Sequence, residues 1–154
     1  MAGMEDLYKE IIMDHYRSPR NRGELLSPPA TRTEGFNPLC GDEIVVYLIV
    51  DDGVLTDIKM TGQGCSISQA SASLMSAAVK GKPLSAVRER IDTFKALMTV
   101  HEAALDGEAS DAVDLRRLGE LAALQGVVKF PVRIKCATLA WNTLIQGLEE
   151  ISPT

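Results

Sequence analysis

Three cysteines and one aspartate are the residues of this sequence whose types and placing suggest chemistry. Cys40 and Asp42 share the segment Asn37-Pro38-Leu39-Cys40-Gly41-Asp42, Cys65 follows Gly62-Gln63-Gly64, and Cys136 follows Arg133-Ile134-Lys135. In the first segment proline and glycine shape a tight turn that can aim a thiolate and a carboxylate in one direction. Cys65 precedes a helical pattern, where unpaired backbone N–H groups and the helix dipole favour thiolate over thiol. Arg133 and Lys135 put positive charge near Cys136, with the same expected effect. Together the four side chains would complete a tetrahedron, and thiolate-rich tetrahedra select zinc or iron-sulfur clusters over magnesium or calcium. An aspartate oxygen bonds a soft metal more weakly than a fourth thiolate would. The position it fills can be vacated, which suits transfer better than permanent scaffolding of a fold.

The spacing alone leaves a second reading open. Ligands from three distant segments lack the C-x-x-C regularity of a zinc ribbon, and a free cysteine can be an ordinary small buried hydrophobe. Glycines beside Cys40 and Cys65 speak against that, because a core cysteine more often has apolar neighbours. His15 continues an apolar helical stripe and His101 sits in an ordinary helical pattern, so both are read as packed or surface residues and neither enters the site.

The bulk composition narrows the partners. Sixteen basic against 21 acidic residues give a net charge of −5, and no basic cluster is dense enough to neutralise a run of phosphates, so nucleic acid is not an expected partner. The 154 residues, 45% hydrophobic and 24% charged, fit a single domain, 1–154, with one core. No stretch approaches the ~20 apolar residues of a membrane span, and the acidic start Met1-Ala2-Gly3-Met4-Glu5-Asp6 lacks the features of a signal peptide. The expected location is the cytoplasm, with no membrane partner. In that reducing compartment the cysteines are not expected to form structural disulfides.

The elements that must position these residues are legible in part. Leu7, Tyr8, Ile11, Ile12 and His15 predict a first helix over 4–16, stopped by Ser18-Pro19. The stretch from Glu24 to Asn37 reads either as an extended connection or as a short edge strand. Ile44 to Val50 and Val54 to Thr61 flank Asp52-Gly53, a strong hairpin signal. Val54, Thr56, Ile58 and Met60 are expected on one face of the second strand, which Gly62 interrupts. A small-residue helix then runs from near Cys65 toward Gly81. Helices are expected over Pro83 to Phe94, Lys95 to Leu105 and Asp114 to Leu124, with Asp106 to Asp111 as a solvated loop. Pro131 opens a last helix with the stripe Ala137, Trp141, Leu144, Leu148 and Ile151. Helices on both sides of one antiparallel hairpin make the fold class α+β.

Four segments, in order, carry a resemblance. Asp14-His15-Tyr16-Arg17-Ser18-Pro19-Arg20-Asn21-Arg22-Gly23, Asn37-Pro38-Leu39-Cys40-Gly41-Asp42, Gly62-Gln63-Gly64-Cys65-Ser66-Ile67-Ser68 and Arg133-Ile134-Lys135-Cys136-Ala137 resemble successive motifs of the U-type iron-sulfur cluster assembly proteins, the IscU/NifU N-terminal family. The resemblance implies a small antiparallel sheet covered by helices, with the metal site at one exposed end. The Isc branch carries Leu-Pro-Pro-Val-Lys, then His-Cys. Here Lys129-Phe130-Pro131-Val132-Arg133 leads to Lys135-Cys136, so that branch's extra histidine and the motif read by its dedicated Hsc-type chaperone are both missing. The region from Val100 to Gln125 is similar to the insertion of the SufU-like branch.

That branch implies Zn2+ on Cys40, Asp42, Cys65 and Cys136, and Cys40 as acceptor of persulfide sulfur from a SufS-like cysteine desulfurase. Arg133 and Lys135 are then expected to tune Cys136 or meet the partner. The alternative is a scaffold holding a [2Fe-2S] cluster or iron on the same four residues for delivery to downstream apo-proteins.

Overall fold

The computed structural model describes residues 4–26, 29–38, 40–105, 121, 123, 124, 127 and 131–151. Its elements run α1 (Met4–Arg17), β1 (Thr31–Asn37), β2 (Asp42–Asp51), β3 (Val54–Gln63), α2 (Ser66–Val79), β4 (Lys82–Pro83), α3 (Leu84–Leu105) and α4 (Pro131–Ile151). The strands form one antiparallel sheet in the order β1-β2-β3-β4, which makes the class α+β as expected.

The β2–β3 hairpin turns on Asp52 (φ 53°) and Gly53 (φ 75°), both left-handed, the backbone a two-residue turn needs to match strand twist. Val50 pairs with Leu55 but Ile49 pairs with Asp57, leaving Thr56 as a bulge. The bulge resets the alternation. Leu55, Ile58 and Met60 therefore enter the core beside Ile44, Val46 and Leu48, whereas Val54 is half-buried and Thr56 exposed. That corrects the expected face. Strand β3 also runs through Gly62 to Gln63 rather than stopping before it.

The segment left open resolves as the edge strand β1, whose inward positions Thr33, Gly35 and Asn37 carry no apolar signal. Gly35 and Gly147 let α4 sit close on the sheet: a Cβ at Gly35 would overlap the Thr143 hydroxyl, and one at Gly147 the side chains of Leu48 and Thr33. Pro83 belongs to β4, paired with Val54, and not to a helix. The two helices expected from Pro83 to Leu105 are one, because Val87, Ile91, Phe94, Leu97 and Met98 form an unbroken buried stripe with no glycine or proline within it.

Helix α2 is buried on most sides. Serines in its middle tie it to its neighbours: Ser71 Oγ donates to Ala137 O (2.6 Å) and accepts from Trp141 Nε1 (3.1 Å). Ser73 Oγ meets His15 Nδ1 (2.7 Å) and accepts from Arg20 N (2.8 Å). His15 is thus a packed residue. Phe94 and Trp141 stack with centroids 4.3 Å apart across α3 and α4, and Leu121, Leu124 and Val127 join the same core. The remainder of the expected helix from Asp114, the loop from Asp106, Lys129-Phe130 and the side chain of His101 lie outside the described residues. No described helix is long and apolar enough to cross a membrane.

Candidate metal centre

One end of the sheet gathers the chemistry. Asn37 closes β1 opposite Asp42, which opens β2, and β3 ends at Gln63 shortly before Cys65. Cys40 lies in the connection between β1 and β2, next to Gly41, whose φ of +69° favours glycine. Cys65 is the N-cap of α2: its backbone is extended (φ −70°, ψ 168°) and its sulfur accepts from Ser68 N–H at 3.4 Å, the part a serine or aspartate usually plays. Cys136 lies in the second turn of α4, with none of its surface exposed.

The Cys40 sulfur, an Asp42 carboxylate oxygen and the Cys136 sulfur all lie within 4.8 Å of one another. The Cys136 thiol reaches the Cys40 sulfur at 3.4 Å. Asp42 is fully buried and held from two sides: Oδ1 accepts from Cys65 N–H (2.9 Å) and Oδ2 from Asn37 Nδ2 (3.3 Å), whose amide also lies 3.8 Å from the Cys136 sulfur. Gly64 leaves room for that carboxylate, since a Cβ there would overlap it. Cys65 stands beside this group of three rather than within it. Its N–H binds Asp42, and its side chain interacts with both Arg133 and Cys136.

Burial pushes the Cys136 thiol above its ordinary range, and hydrogen bonding with Cys40, Asp42 and Cys65 pushes the same way. This corrects the expectation that nearby positive charge leaves Cys136 a ready thiolate: desolvation outweighs it. Arg133 is exposed, and its guanidinium is held more firmly protonated by the charge of Cys65 and by a hydrogen bond to Cys136. Lys135 is exposed.

The donor set fits a thiophilic cation. Packed acids whose ionised forms repel each other call for compensating positive charge, and sulfur with one carboxylate oxygen suits zinc or cluster iron. Asn37 and Gly64 are the contributors that reading the residues one by one missed. The tight turn at Asn37-Pro38 was visible, but not that its amide would reach both Asp42, at the other end of the same turn, and Cys136 across the fold.

The model of the NifU-like N-terminal domain matches residues 7–137. The chain is 43% identical over 148 residues to the zinc-dependent sulfurtransferase SufU of Bacillus subtilis, covering 96% of this chain and 92% of the relative. It is 39% identical over 146 residues to the iron-sulfur cluster assembly scaffold protein IscU of Thermotoga maritima, covering 95% of each. Among solved structures, a candidate SUF-system iron-sulfur cluster assembly scaffold protein of Fervidobacterium islandicum AW-1 superposes with a TM-score of 0.76 at 31% identity, covering 92% of this chain and 96% of that one.

Proposed function

Since the chain belongs to the NifU-like N-terminal domain family, we propose that it is a zinc-dependent sulfur carrier of iron-sulfur cluster biogenesis, working in the cytoplasm with a SufS-like cysteine desulfurase. The observation that carries this reading is the meeting of Cys40, Asp42 and Cys136 donor atoms within 4.8 Å, with Cys65 alongside. These four residues hold the zinc. When bound, zinc supplies the positive charge that keeps the sulfurs as thiolates.

Cys40 is the acceptor because, of the two half-buried sulfurs, it is the one on a turn, within a partner's reach, whereas Cys65 is engaged as the cap of α2 and Cys136 is enclosed. Once docking frees it, the Cys40 thiolate attacks the outer sulfur of the desulfurase persulfide. The old S–S bond breaks and the desulfurase cysteine leaves as a thiolate. Arg133, between Cys65 and Cys136, steadies the negative charge that remains. Single-turnover transfer from a persulfide-loaded desulfurase should place one sulfur on Cys40, and Cys40→Ser with undiminished acceptance would sink the assignment.

A second reading draws on the Thermotoga maritima relative: the same residues hold a [2Fe-2S] cluster for delivery to apo-proteins. Anaerobically purified protein separates the two, colourless with zinc or brown with cluster.

A further inference from the structure

A persulfide on Cys40 has two sulfurs, the inner one being Cys40 Sγ itself. Cys136 Sγ lies 3.4 Å from that inner atom. Attack by Cys136 on the outer sulfur would move it onto Cys136, which has no exposed surface and is surrounded by Asn37, Cys40 and Asp42. A sulfur placed there would be out of an acceptor's reach. Attack on the inner sulfur joins two atoms already in contact, and the leaving sulfur departs on the half-buried Cys40 side. The turn that carries Cys40, next to Gly41, can give the small adjustment a disulfide requires.

We infer that Cys136 is a resolving thiol that discharges a Cys40 persulfide as hydrogen sulfide, leaving a Cys40–Cys136 disulfide. The inference rests on Cys40 as acceptor. The bond between Cys40 Sγ and the outer sulfur breaks and the bond between Cys40 Sγ and Cys136 Sγ forms. The outer sulfur leaves with the electron pair of the broken bond and takes up the Cys136 proton, so it is reduced while the Cys136 sulfur is oxidised, and Cys40 Sγ, bonded to one sulfur before and after, keeps its oxidation state. A low-molecular-weight thiol then resets the pair.

The two sulfurs consumed are two of those proposed to hold the ion, so metal retention and discharge exclude each other. A metal-replete chain keeps its sulfur for delivery, and a chain that has lost its metal releases it.

The test uses the full chain, stripped with a chelator, loaded with inorganic polysulfide, freed of excess and kept without reductant. Intact mass, peptide mapping and sulfide release are followed together. The expected course is one extra sulfur on Cys40, then its loss as sulfide while the Cys40 and Cys136 peptides become joined. In Cys136→Ser the sulfur stays on Cys40 and sulfide release is lost, and the zinc-replete wild type shows no joined pair. Wild-type sulfur that persists on Cys40, sulfur found on Cys136, a Cys40–Cys65 linkage, or a joined pair in the zinc-replete chain would each overturn the inference and leave the acceptor reading standing. No sulfur on Cys40 at the outset would overturn both. The wild-type map decides the linkage, so the outcome does not depend on the variant folding.

Discussion

The two ends of the sheet solve opposite problems. At the Asp52-Gly53 end, backbone groups are satisfied by other backbone groups: Gly81 N donates to Leu55 O (2.7 Å) and Leu84 N to Gly53 O (2.9 Å), and the turn residues are exposed. At the other end, side chains from β1, β2, the start of α2 and α4 converge, and acids are buried against one another. The first end lowers its energy by pairing neutral backbone groups with one another. The second stacks groups that would repel if ionised, and holds them through long-range packing. A protein tolerates that arrangement where a cation or a reaction uses it.

Four substitutions test this contrast, in descending order of expected effect. Asp42→Ala removes a proposed ligand and leaves the Cys65 N–H and the Asn37 amide without their carboxylate. Zinc measured after desalting should fall from about one per chain to nearly none, whereas full retention would show that the ion sits elsewhere. Gly64→Ala drives a Cβ into the same carboxylate. It should lose metal and cost about 1–3 kcal/mol in denaturant unfolding.

Asn37→Ala keeps every proposed ligand but frees the Asp42 carboxylate to swing. Competition with a zinc chelator should reveal affinity weakened about 10–100-fold; an unchanged value would reduce Asn37 to packing. Gly53→Ala, at the opposite end, puts a side chain where φ is +75° with nothing nearby to clash. It should cost about 1 kcal/mol in thermal or chemical unfolding and leave the zinc content unchanged. Loss of metal in this last variant would erase the distinction between the ends.

Much of the turn end was readable from residues alone, because its signals are local. Asp52-Gly53 between β-branched runs specifies a hairpin within a few residues of itself. The exceptions had non-local causes. The bulge at Thr56 follows from the register with β2, and Lys82-Pro83 became a strand because Gly81 (φ +78°) turns the chain back along Val54 and Leu55. Strand β1 was ambiguous because its inward residues face α4 through a glycine and two polar side chains, which hydrophobic alternation cannot register.

At the cluster end, residue chemistry nominated Cys40, Asp42, Cys65 and Cys136, and it placed Cys65 correctly at the start of a helix. Type and local turn geometry are properties of short segments, so the sequence could determine them. That three of the four donors pack tightly with Cys65 beside them, that the Asn37 amide meets Cys136, and that burial overrides Arg133 at Cys136 were decided only by tertiary structure. Distance, desolvation and mutual repulsion are set by which distant segments share a volume, and that is settled when α4 closes over the sheet.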